Sequence, residues 1–311
     1  MKISICIPTY KRINYLERLM ESIVIQSFKD FEVVITDDSS DSTVQDFIEK
    51  YKQNFSIIYQ KNITPLGTPE NWNEAIRKAK GTWIKLMHDD DWFADENSLR
   101  KFYEATLKKP DCLFFFSAYN NVEENSESMK SVYVSLLGQL LLWIGPLNLF
   151  KKQYIGNPSC TLIKRDLGVW YDKDFKWVVD FEYYIRCLKK TGNYFYINSV
   201  LINVGINDEQ VTKYTFRKPE VEIPENHLMI DKMGYAILRN IFVYDYYWRM
   251  YRNLQVRNVA DVEKYYREPL HPLLKQMIQF QIRIPLSTLK KGIISKSLML
   301  ANYFVSLFKK I

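Results

Sequence analysis

Strand and helix signals alternate through the first hundred residues, and this alternation constrains the fold more than any other feature of the chain. Mostly apolar runs predict four buried strands, at residues 3–7, 31–36, 55–59 and 82–87. Helical periodicity or helix-end signals separate them, at residues 15–27, 43–51 and 69–80. Strands that alternate with helices form βαβ units with right-handed crossovers. We therefore expect an α/β, Rossmann-like, mostly parallel central sheet flanked by helices.

The rest of the chain predicts a second half of the same domain and a helical extension. Further strands are expected at residues 112–117, 159–164 and 194–204, and helices at 99–108 and 180–191. The polar residues 120–131 predict an exposed hairpin or loop. After about residue 215 the periodicity becomes helical and the composition basic. We place one domain at 1–215, with halves at 1–109 and 110–215, and a helical C-terminal region at 216–311.

Acidic residues follow two of the predicted parallel strands. Asp37 and Asp38 follow the second strand, and the triplet Asp89, Asp90 and Asp91 follows the fourth, so both groups should face one crevice. Three adjacent anions repel one another, and a divalent cation held against a diphosphate would remove that cost. The alternative is a solvated turn that caps the following helix. These residues alone leave both interpretations open.

The glycine-rich phosphate loops of common nucleotide-binding folds are missing from the sequence. Neither GxGxxG nor GxxxxGK[ST] occurs. A diphosphate in the crevice would then depend on a metal held by Asp89–Asp91. This favours a nucleotide-diphosphate ligand without hydride chemistry or ATP hydrolysis.

Cysteine usage and apolar runs limit the class of protein further. The four cysteines are far apart and form no CxxC pair, so we expect buried free thiols in a reducing compartment and no structural zinc. The N-terminal run is too short for a signal peptide. The longest apolar stretch, residues 136–150, is interrupted by polar residues and glycines and is shorter than the ~20 residues of a spanning helix. We expect no transmembrane segment.

The net charge of +7 is concentrated at the C-terminal end. From Arg239 onward thirteen basic residues face four acidic ones, and from Gln281 onward there are six basic residues and no acid. The last thirty residues combine basic pairs with large apolar side chains, which predicts an amphipathic helix suited to an anionic membrane surface. An ordinary helical subdomain or a homodimer interface is the alternative. Nucleic-acid binding rests on positive charge alone and is not expected.

The sequence also resembles family 2 glycosyltransferases of the GT-A fold, a group that builds bacterial surface polysaccharides. The resemblance covers residues 3 to about 205, and the order and spacing of its motifs are specific. The matching segments are residues 5–12 (ICIPTYKR), 27–28 and 31–32 (SF, FE), 37–41 (DDSSD), 71–73 and 79–81 (NWN, AKG), 87–93 (MHDDDWF) and 179–186 (VDFEYYIR).

The resemblance implies a set of donor-site residues. Tyr10 would stack on the base and Asp38 would bind the nucleoside, and the residues implied in binding the nucleotide sugar are Pro8, Tyr10, Asp38, Asn73 and Asp89. Mn²⁺ or Mg²⁺ would bridge the diphosphate, with Asp90 as the direct ligand and Asp91 second. The chain has His88 where many members have the first Asp, so the acids can be assigned in two registers. His88 is then either a packing residue, a hydrogen-bond donor or a ligand.

The resemblance also implies the reaction. Asp180, at the start of the helix that follows the loop at 156–158 and the strand at 159–164, would be the catalytic base, although a simple N-cap is the alternative. One base and one displacement predict inversion, and the missing Gln-x-x-Arg-Trp motif favours transfer of a single sugar. Such enzymes usually act on a lipid-linked saccharide at the inner face of the cell membrane. The acceptor contacts expected in the second half are Asn157, Trp177 and residues 204–212.

Two other functions compete with this interpretation. A sugar nucleotidyltransferase shares a Rossmann-like half, but it normally has a glycine-rich basic loop after the first strand. Residues 8–12 (PTYKR) stand there and contain no glycine. A non-catalytic carbohydrate-binding protein is the alternative from another class.

Overall fold

The structure is a computed structural model that describes residues 1–124, 128–207 and 216–308. The described residues form two compact units. The first unit contains residues 1–143 and 154–207, and the second contains residues 144–153 and 216–308. The predicted Lys309–Lys310 pair and part of residues 204–212 lie outside the described residues.

A single sheet of nine described strands forms the centre of the first unit. Its order is β3-β2-β1-β4-β8-β6-β9-β5, and β7 pairs with β6. The strands are β1 Ile3–Thr9, β2 Phe31–Asp37, β3 Ile57–Lys61, β4 Trp83–Leu86, β5 Trp92–Phe93, β6 Phe114–Glu123, β7 Met129–Val132, β8 Thr161–Lys164 and β9 Phe195–Ile206.

The first four strands pair in parallel, as the βαβ pattern predicts. Strand β1 pairs with both β2 and β4, and Ile5 lies opposite Val33 on one side and Lys85 on the other. Beyond β4 the sheet is mixed, because β8 enters antiparallel between β4 and β6 whereas β6 and β9 are parallel. The expected α/β sheet flanked by helices is confirmed. Its carboxyl-terminal edge carries the ends of β1, β2 and β4 together.

Six helices of this part of the chain flank the sheet or its edges. They are α1 Ile13–Val24, α2 Thr43–Ile48, α3 Glu70–Lys78, α4 Ser98–Lys108, α5 Leu136–Ile144 and α6 Val179–Thr191. The buried side of α1 (Leu16, Leu19, Met20 and Ile23) packs into the same core as Ile3, Ile5 and Ile7 of β1. This core also takes side chains from β2, β4 and α4.

Helix α1 ends earlier than its apolar periodicity predicts. We expected it to reach Ser27, but it ends at Val24. The reason is tertiary: buried Gln26 donates to the Asp95 carbonyl at 2.8 Å and accepts from the Leu99 amide at 2.9 Å. The amide of Ser27 donates to the Glu96 carbonyl at 2.7 Å. These bonds to the start of α4 replace another helical turn.

A buried carboxylate connects the amino ends of three parallel strands. Glu32 on β2 accepts from the Ser4 hydroxyl at 2.6 Å, from the Lys80 amide at 2.6 Å and from the Gly81 amide at 3.2 Å. Ser4 belongs to β1, and residues 80 and 81 lead into β4. Only glycine fits at position 81, because a Cβ there would lie 2.6 Å from the Ser4 amide nitrogen.

The polar stretch at residues 120–131 belongs to a hairpin. Strand β6 is longer than the expected 112–117 and continues to Glu123, where it pairs with β7 in antiparallel register. Tyr119 lies opposite Val132 and Val122 opposite Met129. Residues 125–127 of the expected hairpin lie outside the described residues.

The second unit is helical, as expected for the C-terminal region. Its helices are α7 Pro219–Met233, α8 Ile241–Asn253, α9 Val259–Glu263, α10 Pro272–Gln281, α11 Leu286–Leu289 and α12 Gly292–Leu307. Helix α8 is central: Tyr244, Tyr247, Trp248 and Tyr251 are buried. The Trp248 indole donates to Ser295 on α12 at 3.0 Å, and Gln281 donates to the Trp248 carbonyl at 3.0 Å. All four cysteines of the chain are buried free thiols, as expected.

Among the described residues, no helix combines the length and the apolar character that crossing a bilayer requires.

Candidate donor and metal site

The acid triplet is buried at the carboxyl-terminal edge of the sheet, directly after β4. Asp89, Asp90 and Asp91 are each less than one-tenth exposed. The interpretation of the triplet as a solvated helix cap is wrong, because α4 begins only at Ser98 and Asp95 accepts from the Asn97 amide there. Buried carboxylates need partners.

Arg12 supplies the nearest positive charge. Its guanidinium pairs with both carboxylate oxygens of Asp89, and its Nη1 lies 3.4 Å from Asp90 Oδ2. The Thr9 hydroxyl donates to Asp89 Oδ2 at 3.2 Å. Both residues come from the end of β1 and the turn after it, so the first strand positions the partners of the fourth.

Strand β9 and the loop before β8 hold the other two acids. Asn207 donates to Asp90 Oδ2 at 3.1 Å, and the Gly205 amide donates to Asp91 Oδ1 at 3.2 Å. Asn157 donates to Asp91 Oδ2 at 2.6 Å. The structure thus places Asn157, expected as an acceptor contact, on the acid triplet.

Gly205 allows the close approach of β9 to the triplet. A Cβ at this position would lie 2.4 Å from the backbone oxygen of Asp90 and 3.1 Å from Nη2 of Arg18. Arg18 donates from that nitrogen to the same Asp90 oxygen at 2.9 Å. Any side chain at 205 would therefore push β9 away from the acids.

Burial dominates the electrostatics of the site. It raises the pKa of Asp89 to about 7, although the neighbouring Arg12 lowers it. Burial, and then the adjacent Asp90, raise the pKa of Asp91 to about 8. Burial lowers the pKa of His88 to about 4, so its imidazole is neutral near pH 7. Neutral imidazole is the form that binds metals.

His88, Asp90 and Asp91 together fit a divalent cation. One ligand atom from each lies within 4.8 Å of those of the other two. The His88 Nε2 atom is buried and has no hydrogen-bond partner among the described residues, so in the tautomer protonated at Nδ1 it offers its lone pair to a ligand. Two carboxylates and one imidazole form a donor set that can hold a divalent cation, and carboxylates are among the ligands that suit Mn²⁺ and Mg²⁺. The set adds His88 to the expected pair of Asp90 and Asp91.

The other expected donor residues lie along the same edge but differ in their surroundings. Asp38 is buried, and its carboxylate accepts from Asn62 at 2.7 Å and from the amides of Leu66 and Gly67 at 2.9 and 2.8 Å. It fixes the loop after β3, and its own amide donates to the Thr9 carbonyl at 3.1 Å. Tyr10 is exposed next to the buried Pro8. An exposed aromatic ring at this edge can accept a stacked base.

Asn73 lies deeper than the resemblance implies. Its side chain donates to the Tyr171 carbonyl at 2.8 Å and accepts from the Tyr171 amide at 3.0 Å. It also donates to Glu70 at 2.7 Å. Through these bonds Asn73 connects α3 to the segment before α6.

Asp180 lies in the first turn of α6 and is not the N-cap. The N-cap position is Val178, and its side chain makes no capping bond. Asp180 is partly buried, and burial raises the pKa of its carboxyl to about 6, although the Phe181 amide at 2.7 Å opposes the shift. A carboxylate with this pKa is mostly ionised near neutral pH and can accept a proton.

Aromatic contacts connect the acid triplet to α6. The rings of His88 and Trp72 have centroids 4.7 Å apart, and Trp72 meets Tyr171 edge to face at 5.1 Å. Tyr171 stacks on Tyr183 of α6 at 3.8 Å. Because these rings are packed together, the position of α6 depends on how Trp72 and Tyr171 pack beside His88.

Several site residues had no role assigned from the sequence. Arg12 was part of a matched motif, and its positive charge shortly after β1 was the available signal. Gly205 and Asn207 belong to residues 204–212, which were expected as acceptor contacts, and no local signal indicated that they would lie against the triplet more than a hundred residues away. Lys85, inside β4, is fully buried and donates to the Ser159 carbonyl. Burial lowers the pKa of Lys85 to about 7.

Comparison with known sequences supports one family. Residues 4–167 match the model of the family described as glycosyl transferase family 2. The abequosyltransferase RfbV of Salmonella typhimurium is 37% identical over 101 residues, which are 31% of this chain and 30% of that protein. An uncharacterized glycosyltransferase of Rickettsia felis is 31% identical over 136 residues, which are 42% of this chain and 21% of that protein. The match therefore spans less than a third of these relatives.

Solved structures with the same fold cover nearly the whole chain. Staphylococcus aureus TarS 1–349 in complex with UDP-GlcNAc aligns with a TM-score of 0.58 at 15% identity, over 97% of this chain and 89% of that one. The mannosyltransferase PcManGT of Pyrobaculum calidifontis, in complex with GDP-Man and Mn²⁺, aligns with a TM-score of 0.58 at 13% identity. That alignment covers 100% of this chain and 88% of that one. At these identities the likeness concerns the fold alone. The family match covers more than half of the chain and agrees with the fold and the acidic edge of the sheet, so this protein belongs to glycosyl transferase family 2.

Proposed function

We propose that this protein is an inverting, metal-dependent glycosyltransferase that moves one sugar from a UDP-sugar to a lipid-linked saccharide. The single observation that carries the proposal is the buried cluster of His88, Asp90 and Asp91 at the carboxyl edge of a family 2 sheet. Open α/β sheets bind ligands at this edge. The product would belong to a cell-surface polysaccharide such as O-antigen, capsule or exopolysaccharide.

The nucleotide sugar would lie along the ends of β1, β2 and β4. Tyr10 would stack on the base, and Pro8 and Asp38 would shape the nucleoside pocket through the loop that Asp38 fixes. Asp89 would contact the ribose, and Asp90, Asp91 and His88 would hold Mn²⁺ or Mg²⁺ against the diphosphate. A divalent cation there supplies Lewis-acid stabilisation of the charge on the leaving phosphate oxygens. Asn73 would stabilise this pocket indirectly, through its two hydrogen bonds to the Tyr171 backbone.

Asp180 would act as the base in a single displacement. The acceptor hydroxyl oxygen forms a bond to the anomeric carbon while the bond from that carbon to the diphosphate oxygen breaks. Asp180 takes the hydroxyl proton, and the nucleoside diphosphate leaves from the opposite face. One displacement inverts the anomeric configuration. The pKa of about 6 keeps Asp180 largely ionised at pH 7.

The relatives suggest the nucleotide and the pathway. TarS was solved with UDP-GlcNAc, and RfbV is named an abequosyltransferase. Both names describe sugar transfer or a bound sugar donor, and the UDP-GlcNAc complex of TarS favours a UDP-sugar for this chain. We place the protein in the cytoplasm at the inner face of the membrane, where a lipid-linked acceptor would be found. The outer face of α12, with Ile293, Phe304 and Phe308 exposed, supports contact with an anionic membrane.

Titration calorimetry with UDP and Mn²⁺ tests the donor and metal assignments. We expect the wild type to bind UDP with Mn²⁺ and Asp90→Ala to lose at least about tenfold in affinity, since one charged ligand is removed. Asp166→Ala is the matched control, because this carboxylate is exposed and follows β8, whose last residue lies opposite Trp83 at the amino end of β4, whereas the triplet follows the carboxyl end. A wild type that does not bind, or undiminished binding by Asp90→Ala, would reject the metal assignment.

A further inference from the structure

Lys85 is a buried cation that the proposed mechanism does not use. It lies inside β4, shortly before the acid triplet, and none of its surface is exposed. Its ammonium lies 4.9 Å from the centroid of the Phe102 ring and 5.8 Å from that of Phe93. A charged group in such apolar surroundings lowers stability unless its partners compensate for the lost hydration. Packing alone therefore does not account for a lysine at this position.

The ammonium of Lys85 holds a turn of the chain that lies beside the acids. It donates a hydrogen bond to the carbonyl oxygen of Ser159. Ser159 belongs to the short 3₁₀ turn Pro158–Cys160, which leads directly into β8. The Cys160 amide closes this turn by donating to the Asn157 carbonyl at 2.9 Å. Lys85 thereby attaches residues 157–160 to β4.

Two side chains of the same turn contact the candidate metal ligands. The Ser159 hydroxyl accepts from the His88 amide at 2.9 Å and also hydrogen-bonds the Asp91 carboxylate. Asn157 donates to Asp91 Oδ2 at 2.6 Å. Ser159 is fully buried, so bulk water does not compete for its bonds. The positions of His88 and Asp91 therefore depend on where the turn lies.

The loop that carries the acids also ends next to Lys85. Strand β5 follows Asp91 directly, and the ring of Phe93 on this strand is the one that lies 5.8 Å from the ammonium. Phe93 is itself buried and lies opposite Ile202 of β9. Lys85 thus contacts the strand after the acids as well as the turn beside them, and it belongs to the strand before them.

We propose that Lys85 is a positioning residue of the metal site: it holds residues 157–160 against β4, and this turn sets the positions of His88 and Asp91. Lys85 itself would not touch the cation. The inference rests on the proposed function, because it requires that His88 and Asp91 bind a divalent cation. Removing a partner that orients metal ligands typically lowers metal affinity by roughly 10- to 100-fold.

Stability and metal binding should respond in different directions when the charge is removed. Replacing a buried charged group by an apolar side chain of similar shape is often neutral or stabilising. Methionine is unbranched like lysine, and its sulfur makes favourable contacts with rings such as those of Phe93 and Phe102. Lys85→Met should therefore keep or raise the free energy of unfolding while it weakens metal binding. A lysine that only stabilised the fold would give the reverse result.

Calorimetry of the full chain with UDP tests the proposal, once with Mn²⁺ and once with EDTA in place of the metal. We expect Lys85→Met to bind UDP at least about tenfold more weakly in Mn²⁺ and with unchanged affinity in EDTA. Urea denaturation of the same proteins gives the free energy of unfolding. Lys164→Met is the matched control, because Lys164 on β8 lies opposite Trp83 at the amino end of β4, and it should bind like the wild type.

Ser159→Ala tests the other end of the same contact. It removes the hydroxyl that bonds both His88 and Asp91, so it should also weaken UDP binding in Mn²⁺ and not in EDTA. Because Lys85 would act through this turn, the factors lost in the two single variants should not multiply in the double variant. If Lys85→Met does not fold by circular dichroism, Lys85→Leu takes its place.

Three results would overturn the proposal. They are a Lys85→Met variant that binds UDP in Mn²⁺ as the wild type does, an equal loss in Mn²⁺ and in EDTA, and single losses that multiply in the double variant. A wild type that gains no UDP affinity from Mn²⁺ would reject the metal site together with the role of Lys85. A Mn²⁺-dependent wild type beside an unchanged Lys85→Met would reject the role of Lys85 alone.

Discussion

Sugar transfer should depend on pH through Asp180, whose burial raises the pKa of its carboxyl to about 6. With this pKa, roughly nine-tenths of the carboxyl is ionised at pH 7 and roughly one-tenth at pH 5. Only the ionised form accepts the hydroxyl proton, so kcat/KM should fall about tenfold between these values. An exposed aspartate with a pKa of about 3.9 would remain roughly nine-tenths ionised at pH 5, and the rate would change little.

The assay is the initial rate of nucleoside diphosphate release with donor below its KM, measured from pH 5 to pH 8. Asp89 and Asp91 also have raised pKa values, so donor binding with saturating Mn²⁺ must be measured at each pH and used to correct the rate. Asp180→Asn should bind donor normally and lose roughly 10²- to 10⁴-fold in kcat at every pH. Asp166→Asn is the control and should keep the wild-type profile.

Two results would refute the assignment of Asp180. A corrected profile that stays flat down to pH 5 would mean that the base titrates elsewhere. Transfer by Asp180→Asn within a few-fold of the wild type would mean that this carboxylate is not the base. Asp180→Glu, which keeps the carboxylate on a longer side chain, should retain part of the activity and a pH-dependent limb.

Two further predictions concern Gly205, which lies against the acid triplet, and His227, which is buried in the second unit. Gly205→Ala should lower the free energy of unfolding by about 1–3 kcal/mol and weaken UDP binding with Mn²⁺, because its Cβ would lie 2.4 Å from the Asp90 backbone oxygen. Gly292→Ala is the control, since a Cβ there meets no atom within 4 Å, and it should lower neither stability nor binding. An equal loss in both variants would contradict this reasoning. Burial lowers the pKa of His227 from 6.5 to about 4, so the unfolded chain binds the proton more tightly and stability falls as the pH drops from about 6.5 to 4. The free energy of unfolding, measured by urea denaturation, should fall by roughly 3 kcal/mol over this pH range. In His227→Phe this pH-dependent loss should be smaller. A variant with the same pH dependence as the wild type would show that other groups are responsible.

The sequence predicts which residues meet at the carboxyl-terminal edge of the sheet, because the determinants of that edge are local. The ends of β1, β2 and β4 follow from three apolar runs, and the parallel rule then brings Thr9, Asp38 and Asp89 to one edge. The acids themselves carry the chemistry, so their position after β4 is sufficient to propose a diphosphate site. Family motifs add roles that the pattern alone does not contain.

The partners of these acids are not local and could not be predicted in the same way. Gly205 and Asn207 reach Asp91 and Asp90 only because β9 pairs with β5 in the register Asn203 opposite Trp92. A two-residue strand such as β5 has no periodicity to recognise. The end of α1 at Val24 has a similar cause, since bonds of Gln26 to the start of α4 override a continuing apolar pattern.

The hydrogen bonds of Glu32 affect which parts of this sheet can change by substitution during evolution. Register among β1, β2 and β4 is secured at their amino ends by Ser4, Glu32 and Gly81, on the side away from the acids. A substitution at the acidic edge therefore leaves the hydrogen bonds of Ser4, Glu32 and Gly81 in place. The contacts that align the strands and the residues of the candidate site can thus change independently, even where a substitution at the site lowers stability.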